Sequence, residues 1–332
     1  MHPLSAFHTF ALPALAQAIS VVHHPDDLKA VCRLLQDKPF FILGEGSNTV
    51  FLEDYHGTVL KIALSGIRLQ HTATHFRLSV AAGENWHQLV LWCMQNKIYG
   101  FENLALIPGS VGAAPIQNIG AYGVEVERFI HGVEYFDLLE GVIKSLDHKT
   151  CAFSYRDSLF KTKLGQRAII TQVTFDIPKN NQLVTHYGDL AKLSRPTPQD
   201  IFNEVVTIRQ KKLPDPKVIG NAGSFFKNPV ITLNHYTRLQ QIWPSIPSYP
   251  LDTHQVKVPA AWLIDSLGFK GKKIGGIGCH PQQALVLTND GTGTGKQLLN
   301  LARDIKTAVH SEFSIMLENE VRLIGKNGPV IL

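Results

Sequence analysis

The sequence predicts an α+β protein of two or three domains, and three observations predict it. The chain has 332 residues, against about 150 for an average domain. Helical stripes and short strand-like runs follow one another without the regular alternation of a doubly wound sheet. Two stretches with few bulky side chains, GEGSN at 44–48 and IPGSVGAAPIQNIGAYG at 107–123, each follow a short apolar segment.

The first segment extends over residues 1–67. DDLKAVCRLLQDK sets Leu28, Val31, Leu34 and Leu35 on one helical stripe. FFIL (40–43) reads as a buried strand ending in the GEGSN turn, and TVLKIAL (58–64) as another strand. The second segment covers 68–196. RLSVAAG is a strand, and Asn85 is placed to cap the helix WHQLVLWCMQNK, whose Trp86, Leu89, Val90, Cys93 and Met94 share one face. VEYFDL and AIITQVTFDI are strand-like. RPTPQD (195–200) marks the next boundary, with Thr197 as N-cap and Pro198 as first residue of the helix DIFNEVVTIRQKKL. Residues 197–318 alternate helices (AAWLIDSLG, KQLLNLARDIKTAVHSEF) with the strand ALVLTN and read as a compact α/β unit. EVRLIG is a further strand, in the closing stretch 319–332.

Composition narrows the function. The chain is 44% hydrophobic and 18% charged, so it can bury an ordinary core. Its net charge of +5 is mild and scattered, without the basic arm or aromatic-basic stripe of a polynucleotide binder, so no nucleic-acid partner is expected. Cys32, Cys93, Cys151 and Cys279 form no CxxC pair, which argues against a zinc knuckle or disulfide framework and fits a reducing cytosol. HTFALPALAQAIS mimics a signal peptide, but the first basic residue is Lys29 and the basic n-region is missing. No apolar run approaches the roughly 20 residues of a membrane span. A cytoplasmic monomer is the expectation.

Three motifs are decoys. GTGTGKQ (291–297) has three residues between Gly291 and Gly295 where a phosphate-binding P-loop has four, and Gln297 replaces the magnesium-holding hydroxyl. It reads as a flexible loop before a helix. GEGSNT lacks the third Gly of the dinucleotide fingerprint, with Thr49 in its place. His23 and His24 read as a surface pair at a helix start, and no metal site is expected.

Glycine lets a backbone approach a ligand closely, and successive N–H groups in such turns form nests for anions. A large planar phosphorylated cofactor lying along both Gly-rich stretches explains them together. GEGSNTVF, GFENLALIPGSVGAAPIQNIGAYGVEV, FSYRDSLFK, LPDPKVIGNAGSFFKNP and LENEVRLIG occur in an order that resembles the UDP-N-acetylenolpyruvoylglucosamine reductase (UDP-N-acetylmuramate dehydrogenase) family. YGDL (187–190) and the segment around Tyr249 are similar to the subtype whose tyrosine-bearing loop closes over substrate.

The resemblance implies an α+β fold: an FAD-binding fold of the vanillyl-alcohol-oxidase type, in two subdomains (1–67 and 68–196), plus an α/β substrate-binding domain. The 319–332 strand would carry a catalytic Glu back to the flavin. By motif, Gly44, Gly46, Ser47 and Asn48 would hold the FAD pyrophosphate. Pro108, Gly109, Ala113, Ala114, Gln117, Asn118, Gly120 and Ala121 would line the rest of the FAD path. Ala113 and Ala114 stand where related sequences often have Ser or Gly, so a phosphate contact is in question there. The implied reaction uses NADPH and FAD to reduce UDP-N-acetylglucosamine enolpyruvate to UDP-N-acetylmuramate. Arg156 would clamp the substrate carboxylate, Ser224 would give the proton, and Glu320 would stabilise the enol with Arg156. Glu318 would share a face with Glu320 if both lay on one strand. Tyr155, Tyr187, Lys212, Asn228, Tyr249 and Gln283 would bind substrate. Another flavoprotein oxidase or dehydrogenase of the same cofactor fold is the alternative. A nucleotide-sugar binding protein without chemistry would not need Arg156, Ser224 and Glu320.

Overall fold

The computed structural model describes residues 1–35 and 38–332, Leu34 through its main chain alone. The end of the first expected helix, at 36–37, and the Leu34 member of its stripe lie outside the described residues. The chain divides into two compact units. The larger contains residues 18–45 and 57–211, the smaller 1–17, 46–56 and 212–332.

In the larger unit, a five-stranded antiparallel sheet runs in the order Val142–Asp147, Ile130–Asp137, Ala168–Pro178, His75–Ala81, Ile67–His71. β-Branched and aromatic residues concentrate in its Ala168–Pro178 strand, and Val133, Val173 and Val80 face one another across the central three strands. Helix Trp86–Gln95 covers it with Trp86, Leu89, Val90 and Cys93 buried, and Asn85 caps it by accepting from Gln88 N. Trp86 packs on Phe101 (ring centroids 5.1 Å) and Phe175 (6.1 Å). Its indole N–H donates to Leu104 O at 2.9 Å, which removes the cost of burying that donor. Helix Asp27–Leu35 buries Leu28, Val31 and Leu35. FFIL forms the strand Phe40–Leu43, but only Phe41 and Leu43 are buried. The strand lies at the edge of its sheet and pairs in parallel with residues 58–61, so one face stays partly open. Helix Pro198–Lys212 begins at the expected cap, where Thr197 and Asp200 exchange main-chain and side-chain bonds.

In the smaller unit, Gly220–Ser224, Val286–Asn289, Ile277–Cys279 and Lys273–Ile274 form an antiparallel sheet. Helix Gly295–Phe313 buries Leu298, Leu301, Ile305, Val309 and Phe313 and opens on a capping box between Thr294 and Gln297. The GTGTGK segment before it is pinned, not flexible. Gly291 N and Gly293 N both donate to Asn289 Oδ1, at 3.1 and 3.0 Å, and the box meets Thr294 N and Gln297 N. A second sheet pairs Thr49–Phe51 in parallel with Arg322–Gly325, which continues into Gly328–Val330. The ALAQA segment that mimics a cleavage site is part of the strand Leu15–Val22. Among the described residues no helix is long and apolar enough to cross a membrane.

Candidate active site

In the larger unit, Gly44 and Glu45 lie against the longer Gly-rich stretch and its flanks. A Cβ at Gly44 would lie 2.5 Å from Ser110 Oγ and 3.7 Å from Ala113 Cβ, so a side chain there would push them apart. Ser110 is bridged to Asn85, and Val111 N and Gly112 N donate to Glu84 O and Ala82 O, both at 2.8 Å. Lys61 donates to Gly44 O; burial lowers its pKa, opposed by the Glu45 carboxylate. Glu45 is held in turn by Asn85 Nδ2 at 2.9 Å. The result is a hydrogen-bonded backbone surface with short side chains, which leaves room for a close approach to the main chain. Ala114 is buried, and its methyl packs in the core. Ala113, Gln117, Gly120 and Ala121 are half-buried and Pro108 is exposed.

Asn118 holds this loop with its side chain. It adopts the left-handed conformation (φ 43) and is fully buried. Its Nδ2 donates to Glu125 Oε2 (3.1 Å) and Ser154 O (3.2 Å), and its Oδ1 accepts from Glu127 N (3.1 Å). Arg156 is also left-handed (φ 54), in a turn closed by two Ser154–Asp157 main-chain bonds of 3.1 Å. Its guanidinium donates to Gly120 O (2.8 Å) and Asn118 O (3.4 Å) and lies over the Tyr155 ring at 5.2 Å. Only 18% of the side chain is exposed, with Glu125 at 4.0 Å. The left-handed turn thus aims a planar cation at the carbonyls of the Gly-rich stretch.

Four neighbouring residues, Tyr122, Arg209, His87 and Asn103, escaped sequence reasoning. Tyr122 (φ 50) bonds its hydroxyl to Arg209, whose Nη2 also donates to Leu106 O at 3.2 Å. Burial pushes the Tyr122 phenol up, with the Arg209 charge opposing; burial, then Arg209, pulls the His87 imidazole down. Tyr187, 41% exposed, meets Tyr122 edge-on with centroids 6.3 Å apart. Asn103 donates to Tyr122 O and Val184 O, both at 2.9 Å, and so ties the segment carrying Tyr187. The one available signal was the position of Tyr122 inside the Gly-rich stretch.

In the smaller unit, Gly46 turns at φ 68 against the N-terminal segment, where a Cβ would lie 2.0 Å from Phe7 O. Ser47 and Asn48 follow, half-buried. Asn48 Nδ2 donates to Glu320 O (3.2 Å), and Arg322 N donates to Asn48 O (3.0 Å). Glu320 N donates to Phe225 O (2.8 Å), and Phe226 bridges Asn319. Ser224 immediately precedes Phe225, opposite Val286, after a bulge that starts at Asn221. Main-chain bonds therefore bring the Asn48 turn, the Ser224 strand and Glu320 together. Glu318 and Glu320 do not share a strand face, because the strand begins at Arg322. Glu318 is 72% exposed and paired with Lys227 at 2.9 Å, which leaves Glu320 as the more sheltered acid.

The remaining candidates also belong to the smaller unit. Lys212 is exposed at the end of its helix. Asn228 Oδ1 accepts from Ala260 N (2.9 Å) at the start of helix Ala260–Ser266, leaving the amide's N–H groups for another acceptor. Tyr249 is 44% exposed on Tyr249–Pro250. Gln283 lies in the turn before Val286–Asn289, where its carbonyl accepts from Val286 N at 3.0 Å.

Two family models define an FAD-dependent oxidoreductase. A family model described as FAD binding domain matches residues 16–147, and one described as UDP-N-acetylenolpyruvoylglucosamine reductase, C-terminal domain, matches 215–324. The UDP-N-acetylenolpyruvoylglucosamine reductase of Pseudoalteromonas atlantica is 57% identical over 329 residues, covering 99% of this chain and 95% of the relative. That of Shewanella oneidensis is 45% identical over 335 residues, covering 100% and 98%. The crystal structure of UDP-N-acetylenolpyruvylglucosamine reductase from Thermus caldophilus superposes with a TM-score of 0.67 at 24% identity, over 96% of each chain. The chain belongs to the UDP-N-acetylenolpyruvoylglucosamine reductase family.

Proposed function

We propose that the chain reduces UDP-N-acetylglucosamine enolpyruvate to UDP-N-acetylmuramate with NADPH, as a cytoplasmic monomer. The observation that carries this reading is the main-chain lock of Asn48, Glu320 and Phe225, which holds an expected cofactor turn, an acid and the Ser224 strand in one register. By motif, Gly44, Gly46, Ser47 and Asn48 would hold the pyrophosphate of FAD, and residues of the 108–121 stretch the remainder. In that division, 1–67 and 68–196 serve the cofactor, 197–318 the substrate, and 319–332 returns Glu320 to the flavin. When bound, FAD supplies to the enolpyruvyl β-carbon the hydride taken from NADPH.

The protein's own groups manage the charge that follows. Negative charge develops on the α-carbon and spreads into the substrate carboxylate, where preorganised donors stabilise it most. Arg156 offers a planar fork to that carboxylate, and a protonated Glu320 donates a further hydrogen bond. Ser224 delivers one proton to the α-carbon, and Lys212 stabilises the alkoxide left behind. Asn228, with its oxygen committed to Ala260, presents donors suited to diphosphate oxygens. Tyr155, Tyr187, Tyr249 and Gln283 complete the substrate contacts.

Colour tests the whole reading. The purified protein should be yellow, bleach with NADPH under nitrogen, and recolour on adding UDP-N-acetylglucosamine enolpyruvate. A colourless chain that cannot be reconstituted with FAD overturns it. Bleached protein that recolours only with oxygen would favour an oxidase of the same fold.

A further inference from the structure

We propose that Thr9 is a positioning residue that couples the cofactor-phosphate turn to the proton donor, an inference that rests on the reading of Ser224 above. Thr9 makes three hydrogen bonds in two directions. Its N–H donates to Gly46 O at 3.2 Å, in the turn expected to hold the pyrophosphate. Its carbonyl accepts from Asn221 N at 3.1 Å, and its hydroxyl donates to Asn221 O at 2.7 Å. Asn221 is thus gripped at both main-chain groups by one residue.

Asn221 passes that placement on to Ser224. It is buried, and its Nδ2 donates to Pro214 O (3.1 Å) and Ile219 O (3.0 Å). Its Oδ1 accepts from Gly223 N (3.1 Å), the residue next to Ser224. The sheet register shifts between Asn221 and Ser224, so the Gly223 N bond to Asn221 Oδ1 spans the bulge before the ladder resumes at the Ser224–Val286 pair. Phe10 strengthens the same contact: Asn289 Nδ2 donates to its carbonyl at 3.0 Å, and a Cβ on Gly220 would lie 2.5 Å from that oxygen. The N-terminal segment therefore lies against the Gly46 turn on one side and the 220–221 strand on the other. The β-branched Thr9 side chain holds its hydroxyl in few rotamers, which suits a fixed strut. A shift of about 1 Å in a reacting group placed through such a strut lowers turnover by up to roughly 100-fold.

Thr9→Val keeps the shape and both main-chain bonds but removes the hydroxyl; Thr9→Ser keeps the hydroxyl. In Thr9→Val, FAD binding and bleaching by NADPH should match the wild type. Recolouring by UDP-N-acetylglucosamine enolpyruvate should slow about 10- to 100-fold, with a larger solvent deuterium isotope effect. Amide exchange across 220–225 in the FAD-free full chain should speed up, and Thr9→Ser should restore both. Recolouring at the wild-type rate in Thr9→Val overturns the proposal. So does equal loss of bleaching and recolouring, or failure to fold or bind FAD, which would mark a purely structural residue. Ser224→Ala separates the two levels: if it is slow while Thr9→Val is normal, only the coupling falls; if it recolours normally, the proton-donor reading falls and takes the coupling with it.

Discussion

Gly46→Ala measures how firmly the expected pyrophosphate turn is clamped. Gly268 is its control, because it has a similar backbone angle (φ 73 against 68) but nothing within 4 Å of a would-be Cβ. The left-handed conformation costs an L-residue about 1–2 kcal/mol. Reduced freedom of the unfolded chain returns about 0.4–1 kcal/mol, so Gly268→Ala should destabilise by about 1 kcal/mol. At Gly46 the new methyl would also meet Phe7 O at 2.0 Å and His8 Cα at 2.7 Å. These are backbone atoms, held by the Phe7 N to Leu4 O bond (2.8 Å) and by Thr9 N on Gly46 O (3.2 Å), so they cannot rotate aside. Overpacking of that kind adds about 1–3 kcal/mol. The expected total is about 2–4 kcal/mol, a large part of a stability of about 5–15 kcal/mol. Urea unfolding of the FAD-free full chain gives the difference between the variants, and FAD titration should show weakened binding only in Gly46→Ala. Equal unfolding free energies for the two variants would refute the clamp.

Three further outcomes are expected. Burial holds the His8 imidazole at about 4 rather than 6.5. The unfolded chain then binds the proton first as pH falls, so stability should decline between pH 6.5 and 4 by up to about 3 kcal/mol; His8→Gln should flatten that slope in denaturation measured across the range. Ser224→Ala and Glu320→Gln should each lose roughly 10²–10⁴ in turnover while NADPH still bleaches the flavin, and equal failure of bleaching would mean that their roles are misassigned. Adding substrate should protect residues 183–193, around Tyr187, from proteolysis, and unchanged cleavage would count against loop closure.

Local elements were largely legible because local physics makes them. Helix Trp86–Gln95 has a clean stripe and an Asn cap, and helix Pro198–Lys212 begins at Thr197-Pro198 where Thr and Pro are favoured. Nonlocal pairing left no such trace. Thr49–Phe51 joins Arg322–Ile324 across most of the chain, and nothing in either run announces the other. The strand Leu15–Val22 looked like a leader because a short apolar run has no period that distinguishes the two. At the candidate site, glycine content marked where the backbone runs close to its neighbours, but side-chain direction was invisible. Asn118 turns into the protein to hold its loop, Ala114 faces the core, and the left-handed turn at Arg156 is a property of tertiary contacts. Thr9 was visible only as the middle of HTF, since its bonds go to residues far along the chain.

How the candidate groups are held decides what their substitution can reveal. The bonds that place Glu320 between Asn48 and Phe225 are made by its main chain, and Ser224 is registered opposite Val286 in the same way. Glu320→Gln and Ser224→Ala leave those bonds intact, so a kinetic loss in either reports on the carboxyl or the hydroxyl itself. Arg156 is different. Its guanidinium donates to Gly120 O and Asn118 O, and Asn118 in turn ties Glu125, Ser154 and Glu127. Removing that side chain takes away a cation and loosens the loop expected to line the FAD path. Its effect will therefore appear in FAD affinity as well as turnover, and cannot be read as transition-state stabilisation alone. The ratio of the two losses, near unity in FAD affinity for positions 224 and 320 but not for 156, separates groups that act on charge from one that also builds the cradle.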